Sequence, residues 1–121
     1  MAKILVIDDD TMICESFKVL LSEFGHEVGT LNQPKVAKQI LDSNSFDVAI
    51  VDIYMPDVDG LETIRMVRDN FPNIKIIAMS GKKRDPFSPL VAAEAYGAKF
   101  TLEKPASAQQ VIEMVEQALS A

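Results

Sequence analysis

Four aspartates follow two short apolar runs of the chain and are the side chains best suited to chemistry: Asp8, Asp9, Asp10 and Asp52. A carboxylate can bind a divalent cation, and it can also attack phosphorus as a nucleophile. Two carboxylates about 4 Å apart repel each other by roughly 4 kcal/mol at an effective dielectric constant near 20. A chain that gathers several carboxylates at one place must gain a compensating interaction, and the usual one is a bound divalent cation.

The apolar runs before these aspartates predict where the carboxylates lie. Residues 4–7 and 48–51 are short, rich in β-branched side chains and bounded by polar residues, which is typical of buried parallel strands. Ligands of open α/β sheets bind at the carboxyl ends of such strands. Both groups of acids are therefore expected at one functional edge of a sheet.

Composition narrows the class of protein. The 121 residues fit one domain, and a hydrophobic content of 48% favours a compact fold. Twelve basic and eighteen acidic residues give a formal charge of −6, which argues against direct binding to nucleic acid or to an anionic membrane. Cys14 is the only cysteine, and no apolar run reaches the length of a secretion signal or a membrane span. We therefore expect a soluble cytoplasmic protein without a disulfide.

The whole chain alternates between strand-like and helix-like segments. Apolar residues recur at helical spacing after each strand-like run, and glycine or proline follows several of these stretches. Strands β1 to β5 are predicted at residues 4–7, 26–31, 48–51, 74–79 and 100–103. Helices α1 to α5 are predicted at residues 11–24, from residue 34, at 61–71, up to about residue 96, and after residue 107.

Five strands alternating with five helices predict a single α/β domain over residues 1–121, with a parallel sheet covered on both faces. Among the common strand orders of such doubly wound sheets, 2-1-3-4-5 places the ends of β1 and β3 side by side, at the point where ligands bind. In this order Asp8, Asp9 and Asp52 converge.

Five short motifs lie in order at or near the ends of four predicted strands: Asp8-Asp9, Asp52, Met55-Pro56 with Asp59-Gly60, Ser80 and Lys104-Pro105. Each motif is weak by itself, but together they resemble the receiver domain of two-component response regulators over the whole chain. The resemblance implies a flavodoxin-like fold. It also implies a phosphorylation-dependent signalling switch, which is not an enzyme beyond catalysing its own phosphorylation and dephosphorylation.

The polar residues at the strand ends suit this chemistry. The Asp52 carboxylate is the expected phosphoacceptor, and the resemblance implies a histidine kinase or a phosphotransfer protein as the donor. Lys104 can pair with Asp52 before the reaction and with a phosphoryl oxygen afterwards. The Ser80 hydroxyl can donate a hydrogen bond to another phosphoryl oxygen.

Mg²⁺ is the expected cofactor, because it prefers hard oxygen ligands and commonly takes one or two carboxylates. Asp9 and Asp52 are expected to bind the ion directly. The resemblance implies that Asp8 acts mainly through a water molecule, and that the backbone carbonyl of Tyr54 completes the ligands from the protein.

The resemblance further implies a partner surface formed by α4, β5 and α5, whose affinity for a downstream protein changes with phosphorylation. We expect a monomer or a weak dimer. Two interpretations of the chain remain open: it is a freestanding switch, or it is a receiver piece of a larger response regulator or hybrid kinase.

Other function classes fit the pattern less well. A flavin binder of similar fold needs hydroxyls and amides in the loop after β1, where this chain has three acids that repel a phosphate. A Mg²⁺-dependent phosphohydrolase with a related sheet typically carries a second acid two residues after its nucleophile, where this chain has Tyr54. A pseudo-receiver usually lacks part of the acidic set or the lysine, and both are retained here.

The chain departs from the receiver pattern at the position three residues before Lys104. Receivers often place Tyr or Phe there, and this chain has Thr101, with Phe100 one residue earlier. Neighbouring strand residues face opposite sides of a sheet, so Phe100 does not replace the missing ring. We expect the loop after β4 to respond to phosphorylation through Ser80 instead.

Two residues beside the expected site predict its timing. Tyr54 and Lys82 lie two residues after Asp52 and Ser80, where receiver side chains overhang the phosphoryl group and hinder an attacking water. They predict slow self-dephosphorylation.

Structural roles are predicted for the remaining polar candidates, namely a helix cap for Asp10, turns for Asp57 and Asp59, a partly exposed position for His26 and a solvated turn for residues 82–84.

Overall fold

One parallel sheet of five strands with helices on both faces makes up the computed structural model of the chain, which describes residues 1–55, 58–81 and 89–121. The strands are β1 (Lys3–Ile7), β2 (Glu27–Leu31), β3 (Val48–Asp52), β4 (Lys75–Ser80) and β5 (Phe100–Glu103). The helices are α1 (Thr11–Glu23), α2 (Ala37–Ser43), α3 (Gly60–Asn70), α4 (Pro89–Tyr96) and α5 (Ala108–Ser120). None of the described helices is both long and apolar enough to cross a membrane.

The strands follow the order β2-β1-β3-β4-β5, and every neighbouring pair is parallel. Ile7 near the end of β1 pairs with Val51 near the end of β3, so these two strands finish side by side. The predicted flavodoxin-like order is therefore confirmed. The ends of β1 and β3 form the switch point of the sheet.

Two apolar layers hold the sheet in place. Side chains of β1 and β3 alternate between them: Leu5 and Val51 pack with α2, α3 and α4, whereas Val6 and Ile50 pack with α1 and α5. All five residues of β3 are buried. Burial on both faces explains why these strands are continuous apolar runs rather than alternating polar and apolar ones.

The ends of α1 and α5 follow their sequence signals. The Asp10 carboxylate accepts hydrogen bonds from the Met12 and Ile13 backbone amides at the start of α1, as predicted for a helix cap. Gly25, just after α1, has a φ of +86°, which side chains other than glycine rarely adopt. At α5, Ser107 and Gln110 form the reciprocal bonds of a capping box.

Some element boundaries differ from the sequence prediction. Pro34 begins a 3₁₀ turn (Pro34–Val36) and α2 follows it, because proline fits a helical first turn without supplying an amide donor. Tyr54–Met55 pairs antiparallel with Val58–Asp59, where a loop was expected. Ser80 is the last residue of β4 rather than the first residue after it.

Several predictions fall on residues outside the described part of the chain. These are the turn at Pro56 and Asp57, the basic residues 82–84, and the remainder of the loop before α4.

His26 has structural contacts and intermediate burial, as predicted for a partly exposed structural residue, and 7% of its side chain is exposed. Its Nδ1 accepts a hydrogen bond from the Ala2 backbone amide at 3.2 Å, and its Nε2 lies 3.7 Å from a carboxylate oxygen of Glu116 on α5. The imidazole thus links the start of β1 to α5.

Candidate functional site

Three carboxylates meet at the adjoining ends of β1 and β3. Asp8 directly follows β1 and is fully buried, Asp52 ends β3 and is 3% exposed, and Asp9 is exposed to solvent. One carboxylate oxygen from each of the three lies within 4.8 Å of the others. The predicted convergence of these acids is therefore present in the fold.

Asp8 is the most firmly held of the three. Its Oδ1 accepts a hydrogen bond from the Asp10 backbone amide at 2.9 Å, and its Oδ2 accepts one from the Lys104 ammonium at 2.9 Å. Its own backbone amide donates to the Leu31 carbonyl at 3.0 Å. The two bonds to its carboxylate oxygens offset the free-energy cost of burying the Asp8 side chain.

Lys104 reaches this cluster from the loop after β5. Its ammonium lies 2.9 Å from Asp8 Oδ2 and 3.4 Å from Asp52 Oδ1, so it bridges both acids. The sequence analysis paired it with Asp52 alone, and the shorter contact is with Asp8, the more deeply buried acid. The backbone amide of Lys104 donates to the Ser80 carbonyl at 2.7 Å, which fixes the lysine beside the end of β4.

The pKa values of this cluster reflect competition between burial and charge. Burial raises the pKa of Asp52 to about 6, the Asp8 charge adds to this effect, and Lys104 opposes it. For Lys104, burial lowers the pKa, but the hydrogen bond to Asp8 and the charges of both acids outweigh it, so the net pKa lies above its ordinary value. A second cation near Asp52 would favour its charged form further.

Ser80 lies one strand away from Asp52. Asp52 pairs with Met79 in the β3–β4 ladder, and Ser80 is the next residue of β4, fully buried. The Ile53 amide donates to the Met79 carbonyl at 2.9 Å and keeps the two strand ends together past Asp52. Ser80 and Asp52 therefore stand on neighbouring strands at the same edge of the sheet.

Tyr54 follows Asp52 by two residues in the connection to α3. Its side chain is 53% exposed, and its backbone pairs with Asp59. The role of its carbonyl as a cation ligand stays a prediction.

Gly60 allows the chain to turn tightly beneath Asp52. A Cβ atom at this position would lie 2.4 Å from the Asp52 carbonyl oxygen and 2.5 Å from the Ile53 Cα. The Gly60 amide also donates to the Ile53 carbonyl at 3.1 Å. The sequence analysis read Asp59-Gly60 as a turn and as part of the receiver pattern, and it missed this close approach of α3 to the site.

Cys14 is a second residue that sequence reasoning did not connect with the site. Its thiol is buried and donates a hydrogen bond to the Asp8 backbone carbonyl at 3.3 Å. Burial and the nearby Asp8 charge raise its pKa, so the thiol stays protonated. The sequence analysis considered Cys14 only as a cysteine without a disulfide partner.

The position of the missing aromatic ring is clear from the register of β4 and β5. Phe100 pairs with Ile77, and both pack in the layer formed with α1 and α5. Thr101 pairs with Ala78, which packs in the opposite layer with α3 and α4. Phe100 thus points away from the face that Thr101 occupies, as the alternation of strand residues predicted.

The donor set of the cluster fits a hard divalent cation. Carboxylate oxygens are the ligands that Mg²⁺ prefers, and Asp9 is exposed at the mouth of the site, from which an ion can enter. Asp52 therefore belongs to a group of acids that can bind a cation, and it has the Lys104 ammonium and the Ser80 residue as neighbours. Such an arrangement can stabilise the negative charge of a phosphoryl group in transfer.

Comparison with known proteins agrees with this geometry. A family model described as the response regulator receiver domain matches residues 4–116. The DNA-binding transcriptional regulator NtrC of Azospirillum brasilense is 33% identical over 119 residues, covering 98% of this chain and 24% of that protein. The transcriptional regulatory protein PhoP of Escherichia coli K12 is 30% identical over 110 residues, covering 91% of this chain and 48% of that protein.

Solved structures show the same fold. A CheY-like receiver domain protein from Methanospirillum hungatei superposes with a TM-score of 0.91 at 27% identity, covering 99% of this chain and 94% of that one. A receiver domain protein from Clostridium thermocellum gives a TM-score of 0.88 at 32% identity, with coverage of 99% and 95%. The chain spans about a quarter to a half of the curated relatives NtrC and PhoP, but nearly all of these two solved chains. The chain belongs to the response regulator receiver domain family.

Proposed function

We propose that this receiver domain is a phosphorylation switch in which Asp52 accepts a phosphoryl group from a histidine kinase or a phosphotransfer protein, in a reaction that requires Mg²⁺. The placement of Asp52 carries the proposal. Its carboxylate is buried at the end of β3, within reach of two acids that can share a cation, and its Oδ1 is 3.4 Å from the Lys104 ammonium.

The transfer step uses the Asp52 carboxylate as the nucleophile. One carboxylate oxygen forms a bond to phosphorus while the bond between phosphorus and the imidazole nitrogen of the donor breaks. The electron pair of the broken bond remains on that nitrogen, which takes up a proton. The product on this chain is an aspartyl phosphate, and the donor histidine returns to its neutral form.

Two neighbouring residues balance the charge of the product. Lys104 bridges Asp8 and Asp52 in the unmodified protein, and its ammonium can turn to a phosphoryl oxygen while staying beside Asp8. The Ser80 hydroxyl stands on the adjacent strand end and can donate to another phosphoryl oxygen.

The acids provide the cation site. Asp9 and Asp52 would bind Mg²⁺ directly, Asp8 would act through a water molecule, and the Tyr54 carbonyl would complete the protein ligands. When bound, the ion neutralises charge on the transferring group and reduces the repulsion between the acids. Asp8, which is already held by Lys104 and by the Asp10 amide, supports the outer-shell role.

Signal output would come from a change in partner binding at the surface formed by α4, β5 and α5. Residues 1–121 would act as one receiver unit without direct contact to nucleic acid, as the net charge of −6 favours. NtrC and PhoP are transcriptional regulators by name and are two to four times longer than the region they share with this chain. The protein would act either alone or as the receiver part of such a longer regulator.

Intact-mass measurement after incubation with acetyl phosphate tests the proposal. With Mg²⁺, the chain is expected to gain the mass of one phosphoryl group, and excess EDTA should prevent the gain. Asp52→Asn should gain nothing, while Asp42→Asn, which changes an exposed acid on α2, should behave as the parent. No adduct on the parent, or an equal adduct on Asp52→Asn, overturns the proposal.

A further inference from the structure

Arg68 on α3 forms a hydrogen bond with the C-terminal end of α4, and we call this interaction the clasp. Its Nη1 donates a hydrogen bond to the Tyr96 carbonyl at 2.8 Å, and its Nε donates to the Asp69 carboxylate at 2.9 Å. Tyr96 is the last residue of α4, so its carbonyl has no partner within the helix. The guanidinium thus supplies a positive donor where the helix dipole places partial negative charge.

Gly97 lets the arginine lie close against the helix end. It has a φ of +130°, and a Cβ atom there would lie 2.6 Å from the Arg68 Cδ and 3.0 Å from its Cγ. The Gly97 and Ala98 amides donate back to the Ala93 carbonyl at 3.1 Å and 3.0 Å and close the last turn. The arginine stem therefore packs directly on the turn that leads into β5.

Among the described side chains of α4, apolar packing is concentrated in the C-terminal half of the helix. Among residues 91–96, only Ala93 is fully buried, and Tyr96 packs partly against the same layer. Val91, nearer the start of the helix, is 38% exposed. An alanine buries little apolar area, so the charged hydrogen bond from Arg68 adds to limited apolar packing in this part of α4.

The signal of phosphorylation would reach α4 from its other end. Ser80, the proposed phosphoryl contact, ends β4, and the chain continues from there to Pro89 at the first turn of α4. A displacement that begins at Ser80 would therefore reach the N-terminal end of the helix first along the chain, while the clasp holds the C-terminal end.

We propose that Arg68 is the pivot of α4: the helix tilts about the Arg68–Tyr96 bond when Asp52 is phosphorylated, instead of sliding as a whole. The inference rests on the proposed function of Asp52. Arg68 is a positioning residue that lies outside the phosphorylation site and acts only through α4. Within α4, the pivot confines the change to the start of the helix.

Backbone amide NMR of the full chain, with and without beryllofluoride and Mg²⁺ as a phosphoryl mimic, tests the pivot. In the parent, the mimic should shift the amides of residues 90–92 and leave those of Gly97 and Ala98 nearly unchanged. In Arg68→Ala, the response should spread to Gly97 and Ala98. The pivot is contradicted if these two amides respond in the parent as strongly as residues 90–92, or if Arg68→Ala reproduces the parent pattern.

Two further variants separate the pivot from simple loss of stability. Arg65→Ala removes a cation from the same helix, where the Arg65 Nε is 3.9 Å from Asp69, and should keep the parent pattern. Arg68→Lys keeps one donor and should restore part of the confinement. Failure of Arg68→Lys to differ from Arg68→Ala, or an Arg65→Ala pattern like that of Arg68→Ala, argues against a specific pivot.

Amide exchange without the mimic tests the clasp independently of Asp52. Loss of the Arg68 bond should speed exchange at Gly97 and Ala98 by about fivefold, the effect of one net hydrogen bond. Absence of any mimic response in every variant would count against the proposed function, whereas unchanged exchange at these two amides would count against the clasp.

Discussion

At the residue scale, the site depends on how Asp8 and Asp52 compete for the positive charge of Lys104. Asp8 holds Lys104 at 2.9 Å and the Asp10 amide at 2.9 Å, which leaves Asp52 with a longer contact of 3.4 Å to the same lysine. Of the two buried acids, Asp52 thus has the longer contact with Lys104 in the unmodified protein, and burial raises its pKa to about 6. A buried carboxylate with incomplete compensation is well placed to react or to bind a cation.

The raised pKa of Asp52 gives a pH-dependent stability in the absence of metal. Its pKa of about 6 exceeds the ordinary 3.8, mainly because burial disfavours the charge, so the folded chain binds this proton more tightly than the unfolded chain. Stability is therefore lost as the pH rises from about 4 to about 6. Asp52→Asn removes the loss and should raise the free energy of unfolding near pH 8 by up to about 3 kcal/mol, with little gain near pH 4.

Urea unfolding in EDTA at the two pH values measures this difference. Asp42→Asn is the matched control, because its acid is exposed and lies on α2 away from the cluster. An equal gain in the free energy of unfolding for Asp52→Asn at both pH values would show that burial of the charged carboxylate does not destabilise the fold.

Tyr54 should slow hydrolysis of the aspartyl phosphate, because its side chain stands two residues after Asp52 and is 53% exposed beside the site. Tyr54→Ala should speed loss of phosphate by up to about tenfold, since a steric screen contributes on the order of 1.4 kcal/mol or less to the barrier. Tyr54→Phe keeps the bulk and should decay as the parent does. Decay followed by intact mass after removal of acetyl phosphate checks this, and equal rates for the parent and Tyr54→Ala refute the screen.

The aspartates of the site were predictable from the sequence, but their contacts were not. Strand-end positions placed Asp8, Asp9 and Asp52 together because parallel strands end at a common edge. The preference of Lys104 for Asp8 spans 96 positions of the chain and depends on relative burial, which no local pattern encodes. The site assignments of Asp52, Ser80 and Lys104 remain predictions about chemistry that the experiments address.

At the element scale, β1, β3 and their following loops set the geometry of the site. Strands buried on both faces gave clear sequence signals, and so did the cap at Asp10 and the capping box at Ser107. The 3₁₀ turn at Pro34 and the short pairing of Tyr54 with Asp59 were missed, since each depends on one or two local bonds rather than on a periodic pattern.

Gly60 should be the most restrictive position in the connection between β3 and α3. Gly60→Ala places a Cβ 2.4 Å from the Asp52 carbonyl oxygen, so backbone must move, and we expect a loss of about 2 to 3 kcal/mol of stability with slower phosphorylation. Gly25→Ala is the control, because its φ is +86° but no atom lies within 4 Å, and it should cost about 1 kcal/mol. Urea unfolding of both variants measures these losses of stability. A loss for Gly60→Ala that is equal to or smaller than the loss for Gly25→Ala contradicts the close approach at Gly60.

At the scale of the whole molecule, the domain concentrates acidic charge and one cation-binding group at a single edge of the sheet. The net charge of −6 and the cluster of Asp8, Asp9 and Asp52 both oppose compact folding, so the folded state should gain from a divalent ion that the unfolded chain binds poorly. The fold class and strand order were predictable because the alternation of strands and helices extends over the full chain.

Magnesium should therefore stabilise the whole domain. At 10 to 100 times the dissociation constant, a ligand specific to the folded state adds about 1.4 to 2.7 kcal/mol to the free energy of unfolding. Thermal unfolding with Mg²⁺ and with EDTA measures the gain, and Asp9→Asn, which removes a proposed direct ligand, should lose most of it. The cation site is refuted if Mg²⁺ leaves the parent unchanged or stabilises Asp9→Asn equally.

The central claim is that the phosphoryl group is carried by Asp52 itself, and reductive trapping tests it most directly. Borohydride cleaves an aspartyl phosphate and converts the modified aspartate to homoserine, which peptide sequencing by mass spectrometry can locate. After incubation with acetyl phosphate and Mg²⁺, we predict homoserine at position 52 and unchanged aspartate at positions 8, 9 and 10. Homoserine at any of those three positions, or at none of the four in a chain that has gained a phosphoryl group, would contradict the account.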